Sequence, residues 1–138
     1  MSFVLDNSVA VAWCFEAEQT PVLMGLLSEV ETLGAYAPQL WPLEAVNALS
    51  VAERRGRLTR ARRRELVGFL RRLPIEVDGQ TASEAGLAIA DLAEACGLSA
   101  YDAAYLELAA RLGLPLATTD TALRRAAAAV GVRPLPTA

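Results

Sequence analysis

The sequence predicts an α/β fold. One domain over residues 1–138 should place a central parallel sheet of four to five strands between helical layers, as an α/β/α sandwich. Three observations predict it. Short apolar runs of strand length alternate with longer stretches whose apolar residues recur at helical spacing. Hydroxyl or acidic caps open those stretches and single glycines close them. No linker, repeat or low-complexity segment divides the 138 residues, a length that suits one hydrophobic core.

The first strand is Phe3-Val4-Leu5, an apolar run ended by Asp6-Asn7-Ser8. Val9 to Phe15 is too continuously apolar for a surface helix, so it should pack against the sheet and a second element. Thr20-Pro21 pairs a cap with a first-turn proline, and Val22, Leu23, Leu26, Leu27 and Val30 follow at helical spacing up to Gly34. Ala35-Tyr36-Ala37 is the second strand. Pro42 then starts a helix expected to turn Leu43, Val46 and Leu49 inward and to stop at Gly56. Thr59 caps the next helix, which runs to about Leu73 with Leu66, Val67, Phe69, Leu70 and Leu73 inward.

Pro74 breaks that helix, and Ile75-Glu76-Val77 alternates as a third strand. Thr81-Ala82-Ser83-Glu84 has the form of a capping box with Thr81 as cap, and its helix ends at Gly97. Ser99-Ala100-Tyr101-Asp102 is a second box, opening a helix through Tyr105 and Leu112 to Gly113. The fourth strand, Leu116-Ala117-Thr118-Thr119, runs into Asp120; Asp120 or Thr121 caps an Ala-rich helix ending at Gly131. Val132-Arg133-Pro134-Leu135 is a fifth strand whose proline places it at a sheet edge. Strands alternating with helices at this spacing imply right-handed βαβ units.

Composition narrows the chemistry. At 54% hydrophobic and 21% charged the chain is globular. No apolar run approaches the roughly 18 residues of a bilayer span. The first residues lack a basic stretch followed by a long apolar core, so no secretory signal is expected. Cys14 and Cys96 lie far apart in apolar helical patterns and read as buried free thiols, which places the protein in the cytoplasm. There is no His, and all 13 basic residues are Arg. That excludes Ser-His-Asp and Cys-His catalysis, Schiff-base chemistry, the phosphate-loop lysine and a zinc site of ordinary composition. Any catalysis must rest on carboxylates, hydroxyls and Arg, with or without a hard metal ion.

Four acids stand where this architecture points to one crevice. Asp6 and Asp120 end strands, and side chains there face the ligand crevice of an open α/β sheet. Glu44 and Asp102 lie in first turns of helices, and Asn47 shares a face with Glu44. Each acid also has a structural reading: Asp102 as a box residue, Asp120 as a cap, Glu44 as a complement to the helix dipole. Together, with no Lys or His to relieve them, they would repel one another and need either a cation or raised pKa values. Hard oxygen ligands suit Mg²⁺ or Mn²⁺, which generate hydroxide from water and stabilise the leaving oxygen of a phosphodiester.

On Val4-Leu5-Asp6-Asn7-Ser8, Glu44 with Asn47, Tyr101-Asp102-Ala103-Ala104-Tyr105-Leu106 and Leu116-Ala117-Thr118-Thr119-Asp120, the chain resembles the PIN-domain ribonucleases over nearly its whole length. Among them it is similar to the compact VapC-like toxins of type II toxin–antitoxin systems. The resemblance implies that Asp6, Glu44, Asp102 and Asp120 are the catalytic acids and hold one or two Mg²⁺ or Mn²⁺ ions. It also implies that Ser8, Asn47 and Thr118 orient those carboxylates or the bound water. Asn7 stands where relatives often carry Thr or Ser. A metal-dependent endoribonuclease leaving 5′-phosphate and 3′-hydroxyl ends is implied, as are a homodimer and a small antitoxin that blocks the site.

Nine of the arginines fall between Arg54 and Arg72. Such a run is either a solvated face or a supply of cations for RNA phosphates, with Arg54, Arg55 and Arg57 forming one wall of a groove. Trp13, Trp41, Tyr101 and Tyr105 read as core or dimer-interface residues rather than base-stacking platforms. A partner's amphipathic helix would find an apolar surface on the early helices. An aspartyl phosphatase or a phosphorylation receiver needs a lysine that this chain lacks. The remaining alternative is a non-catalytic binding module of the same fold whose acids only cap helices.

Overall fold

Val4 and Leu5 form β1, the middle strand of five, and both are fully buried. Successive side chains of a strand point to opposite faces, so full burial of both means that both faces of the sheet are covered. The computed structural model describes residues 2–137. Its sheet is parallel throughout, in the order β3 (Ile75–Val77), β2 (Ala35–Ala37), β1, β4 (Leu116–Ala117) and β5 (Pro134–Leu135). The fifth strand lies at an edge, as its proline requires.

The connecting helices begin and end where the caps are. α1 (Asn7–Ala12) follows β1 at once, and Trp13, Cys14 and Phe15 continue its apolar run into the core. α2 (Pro21–Leu33) is capped by Thr20, whose hydroxyl accepts from Leu23 N–H at 3.2 Å, and it buries Leu23, Leu26 and Val30. Gly34 closes it at φ 75°, and a Cβ there would lie 3.0 Å from the Pro74 carbonyl, so both conformation and space demand glycine. α4 (Arg60–Arg72) is capped by Thr59 and anchored by Leu66 and Leu70, while its Val67, Phe69 and Leu73 are only half-buried. Burying two leucines is worth about 3–6 kcal/mol, which holds an otherwise arginine-rich helix to the core.

Three local expectations are corrected. α3 (Trp41–Arg54) faces the core with Trp41, Ala45, Leu49 and Ala52, and leaves Leu43 75% and Val46 40% exposed. Leu49 is buried as expected, while alanines fill the neighbouring core positions and Leu43 and Val46 lie beside the stripe. Thr81 is the first residue of α5 (Thr81–Glu84) rather than its cap; Gln80 takes that position, and the Thr81 hydroxyl accepts from Gln39 N–H at 3.3 Å. A π-helical turn at Ala85–Ile89 then joins α5 to α6 (Ala90–Cys96). Both cysteines are free, with Cys14 buried and Cys96 half-buried. Burial pushes the Cys14 thiol up to about 11, which keeps it protonated and inert.

α7 (Ala100–Leu112) buries every residue from Ala103 to Ala109 and runs beneath β1 and β4. α8 (Thr121–Ala129) links β4 to β5. Among the described residues no helix is long and apolar enough to cross a membrane.

Candidate functional site

Chain order sets the place of the site. From β1 the sheet grows outward through β2 and β3 on one side and through β4 and β5 on the other. At such a switch point neighbouring strands send their following loops apart, and a crevice opens at their carboxyl ends. Asp6 follows β1 and Thr118 follows β4, so both stand at that crevice.

Asp6 is buried and its carboxylate is held from one side. Oδ2 accepts from the Ser8 hydroxyl at 2.6 Å, the Thr118 hydroxyl at 2.8 Å and Ser8 N–H at 3.3 Å. Each hydroxyl is itself fixed by a backbone donor: Thr119 N–H reaches Ser8 Oγ at 3.0 Å, and Asp120 N–H reaches Thr118 Oγ1 at 3.1 Å. A hydroxyl has one proton, and here both protons go to Asp6. Bonds to a charged acceptor are worth about 1.5–3 kcal/mol each, so this clasp is a strong tie between β1 and β4.

Glu44, in the first turn of α3, accepts from the Tyr105 hydroxyl at Oε1 over 2.5 Å. Burial raises the Glu44 carboxyl above its ordinary range; the tyrosine bond opposes this, and the charges of Asp6 and Asp102 add to it. Asp102, in the first turn of α7, is raised by burial and then by Asp6 and Asp120. Tyr105 itself is pushed far up by burial beside these charges. Ser99 caps α7 through Asp102 N–H at 3.1 Å, but the Asp102 carboxylate accepts no hydrogen bond among the described residues. The reciprocal half of the capping box is not made. Asp120 does cap α8, accepting from Leu123 N–H at Oδ1 over 2.9 Å, with Oδ2 left over.

Glu44 thus feels the charges of Asp6 and Asp102, and Asp102 those of Asp6 and Asp120. The ion pairs among the described residues all lie elsewhere and involve none of the four. Nor do three His, Cys, Asp or Glu side chains form a ready-made ligand set among those residues. Like charges influence one another well beyond the roughly 2.0–2.6 Å of a metal–oxygen bond. As a donor set the four fit a hard divalent ion: each keeps at least one carboxylate oxygen with no hydrogen-bond partner among the described residues.

Of the expected supporting residues, Ser8 and Thr118 touch Asp6, whereas Asn47 is exposed and its side chain bonds none of the four carboxylates. Arg54 and Arg55 are exposed and make no ion pair among the described residues. They end α3, about 15 Å along its axis from Glu44. Arg57 lies 4.3 Å over the Phe15 ring and pairs with Glu18 at 3.5 Å, so part of its charge is already engaged. Tyr105, read from the sequence as a core or interface residue, is both core and site. Its spacing of three from Asp102 puts the two on one helix face and was the available signal. Trp13 and Trp41 are buried, and Tyr101 is 67% exposed.

The sequence matches the PIN domain family over residues 3–129, and the chain belongs to that family. PIN domains are generally nucleases and typically use a divalent metal. The fold is similar to the crystal structure of PAE2754 from Pyrobaculum aerophilum, at TM-score 0.72 and 24% identity, covering 99% of this chain and 85% of that one. It is also similar to the crystal structure of FitAcB from Neisseria gonorrhoeae, at TM-score 0.68 and 18% identity, covering 99% and 98%. At these identities the likeness is one of fold. No curated protein matches the sequence.

Proposed function

We propose that this chain, as one PIN domain over residues 1–138, is a Mg²⁺- or Mn²⁺-dependent endoribonuclease. The observation that carries the reading is the crevice of four carboxylates, each with an unbonded oxygen and none paired with an arginine among the described residues. Asp6, Glu44, Asp102 and Asp120 would hold the ion. When bound, it supplies a hydroxide at neutral pH and charge stabilisation for the leaving oxygen. Ser8 and Thr118 fix one oxygen of Asp6 and leave the other for the ion; Tyr105 does the same for Glu44. Arg54 and Arg55, with Arg57 partly engaged, would hold RNA phosphates along the far end of α3.

The biological reading that goes with this site is a toxin of a toxin–antitoxin pair. It acts in the cytoplasm as a homodimer and is restrained by a small antitoxin protein. Support for that part comes from the motif resemblance to VapC-like toxins.

The test incubates purified protein with a mixed RNA pool, with Mn²⁺ or with chelator, beside Asp6→Asn and Asp102→Asn. Metal-dependent cleavage that both variants lose is the expected result. Stabilisation by Mn²⁺ without cleavage, absent in the variants, would keep the metal site and point to a narrower RNA target. Neither cleavage nor metal binding would overturn the reading in favour of a binding module whose acids cap helices.

A further inference from the structure

Arg124 lies on α8, one turn past Asp120, and both of its terminal nitrogens are used on backbone carbonyls. Nη1 donates to Thr118 O at 2.8 Å, and Nη2 donates to Pro136 O. Those carbonyls stand just past the carboxyl ends of β4 and β5, which Thr118 N–H already links by a 2.9 Å bond to Leu135 O. Thr118 is fully buried, so its N–H, its carbonyl and its hydroxyl are all bonded, and the hydroxyl is one of the two that reach Asp6. Helix stability does not account for this arginine. A cation near a helix N-terminus opposes the macrodipole, and Arg124 has no ion-pair partner among the described residues. Its neighbour Arg125 is exposed, which is the ordinary fate of an arginine on such a helix. A planar guanidinium is suited to bridge two carbonyls at once, whereas an ammonium is a point charge.

We propose that Arg124 is a positioning residue of the acid site. By holding the Thr118 carbonyl it fixes the peptide from which the Thr118 hydroxyl directs Asp6 and receives Asp120 N–H. Its effect on metal binding and cleavage rests on the nuclease reading above; its hold on Thr118 does not. Partners one shell out from a metal commonly change affinity or activity by 10–100-fold when removed.

The experiment compares wild type with Arg124→Met, which keeps an apolar stem without donors, with Arg124→Lys and with Arg125→Met. Three quantities are measured: the Mn²⁺ dissociation constant by calorimetry, kcat and KM for RNA cleavage, and native-state amide exchange. Arg124→Met should bind Mn²⁺ about 10-fold more weakly and lose about 10-fold in kcat at unchanged KM. Arg124→Lys should recover part of both, and Arg125→Met should match wild type. In metal-free protein the Thr118 amide should exchange about 10-fold faster in Arg124→Met, with the Val4 and Tyr36 amides unchanged. Wild-type Mn²⁺ affinity and Thr118 exchange in a folded Arg124→Met protein would overturn the proposal. So would equal acceleration at Val4 and Tyr36, which marks a merely structural role. If Arg124→Met fails to fold, Arg124→Lys with unaltered Thr118 exchange, Mn²⁺ affinity and kcat overturns it. If wild type binds no Mn²⁺ and cuts no RNA, the nuclease reading fails, and Thr118 exchange alone decides whether Arg124 holds that peptide.

Discussion

Two groups of carboxylates in this fold are treated in opposite ways. Past β3, Asp78 is gripped by both terminal nitrogens of Arg111, at 3.1 and 2.8 Å, and the same guanidinium meets buried Glu107 at 2.6 and 3.2 Å. That bond holds the Asp78 carboxyl below its ordinary range, and the two acids raise Arg111 in return. Past β1 and β4, four acids have hydroxyls and amides around them but no arginine in an ion pair, and Glu44 and Asp102 are raised. The chain has 13 arginines. Leaving four carboxylates without one is therefore not a shortage of cations, and it suits the metal site proposed above.

The comparison can be broken at either end. The largest effect expected is on chemistry: Asp6→Asn should lower Mn²⁺-dependent cleavage by about 10²-fold or more, since it removes a charge placed to act on the reaction, and single-turnover rates would show it. Arg111→Met comes next. It strands Asp78 and Glu107 without their cation and should cost about 3 kcal/mol at pH 7, measured by urea unfolding. Asp78 has a depressed pKa, so its contribution is present above the unfolded carboxyl value of about 3.9 and is lost as pH falls through the lower folded value. The deficit of Arg111→Met should accordingly narrow in acid.

Asp102→Asn sharpens the contrast, because its sign is opposite. A raised carboxyl binds its proton more tightly in the folded chain than in the unfolded one, so stability falls as pH climbs from about 4 through the raised value. Removing that charge should stabilise the metal-free protein at pH 7 by up to about 1 kcal/mol, with solvent screening keeping the gain small. The gain should vanish below about pH 4 and reverse when Mn²⁺ is added. No gain in thermal scans at pH 7 would mean that the four charges do not strain the fold. The smallest effect is the double variant Arg54→Ala, Arg55→Ala, which should weaken RNA binding modestly and lower its salt dependence by one to two phosphate contacts, read from affinity against ionic strength.

Much of this was legible from local chemistry. Asp6 follows β1 directly, as a strand ending in an acid predicts, whereas β4 closes at Ala117 and Asp120 lies three residues on as the cap of α8. Thr20, Thr59 and Ser99 were legible because a cap acts within its own turn. What failed was pattern without packing. Half of the inward stripe of α3 is alanine (Ala45 and Ala52), whose weak hydrophobic signal was overridden by exposed Leu43 and Val46. Thr81 bonds Gln39 rather than its own helix, a partner 42 positions away. The roles of Tyr105, Arg111 and Arg124 depend on which strand exits lie side by side, and strand order is a property of the sheet rather than of any segment. Asn47 shares a face with Glu44 in the sequence pattern, yet the position is exposed in the fold.

The clasp on Asp6 joins hydroxyls whose carriers are 110 residues apart. During synthesis, a growing chain carries Asp6 and Glu44 long before it carries Thr118 and the strand that seats it, and Asp102 only 16 residues before. Closing so long a loop is slow, and its contacts come late in folding. A nascent chain halted before Thr118 therefore has three of the four acids and only one of the two hydroxyls that hold the first. On the ribonuclease reading proposed above, hydrolysis of RNA would wait until β4 has emerged and docked.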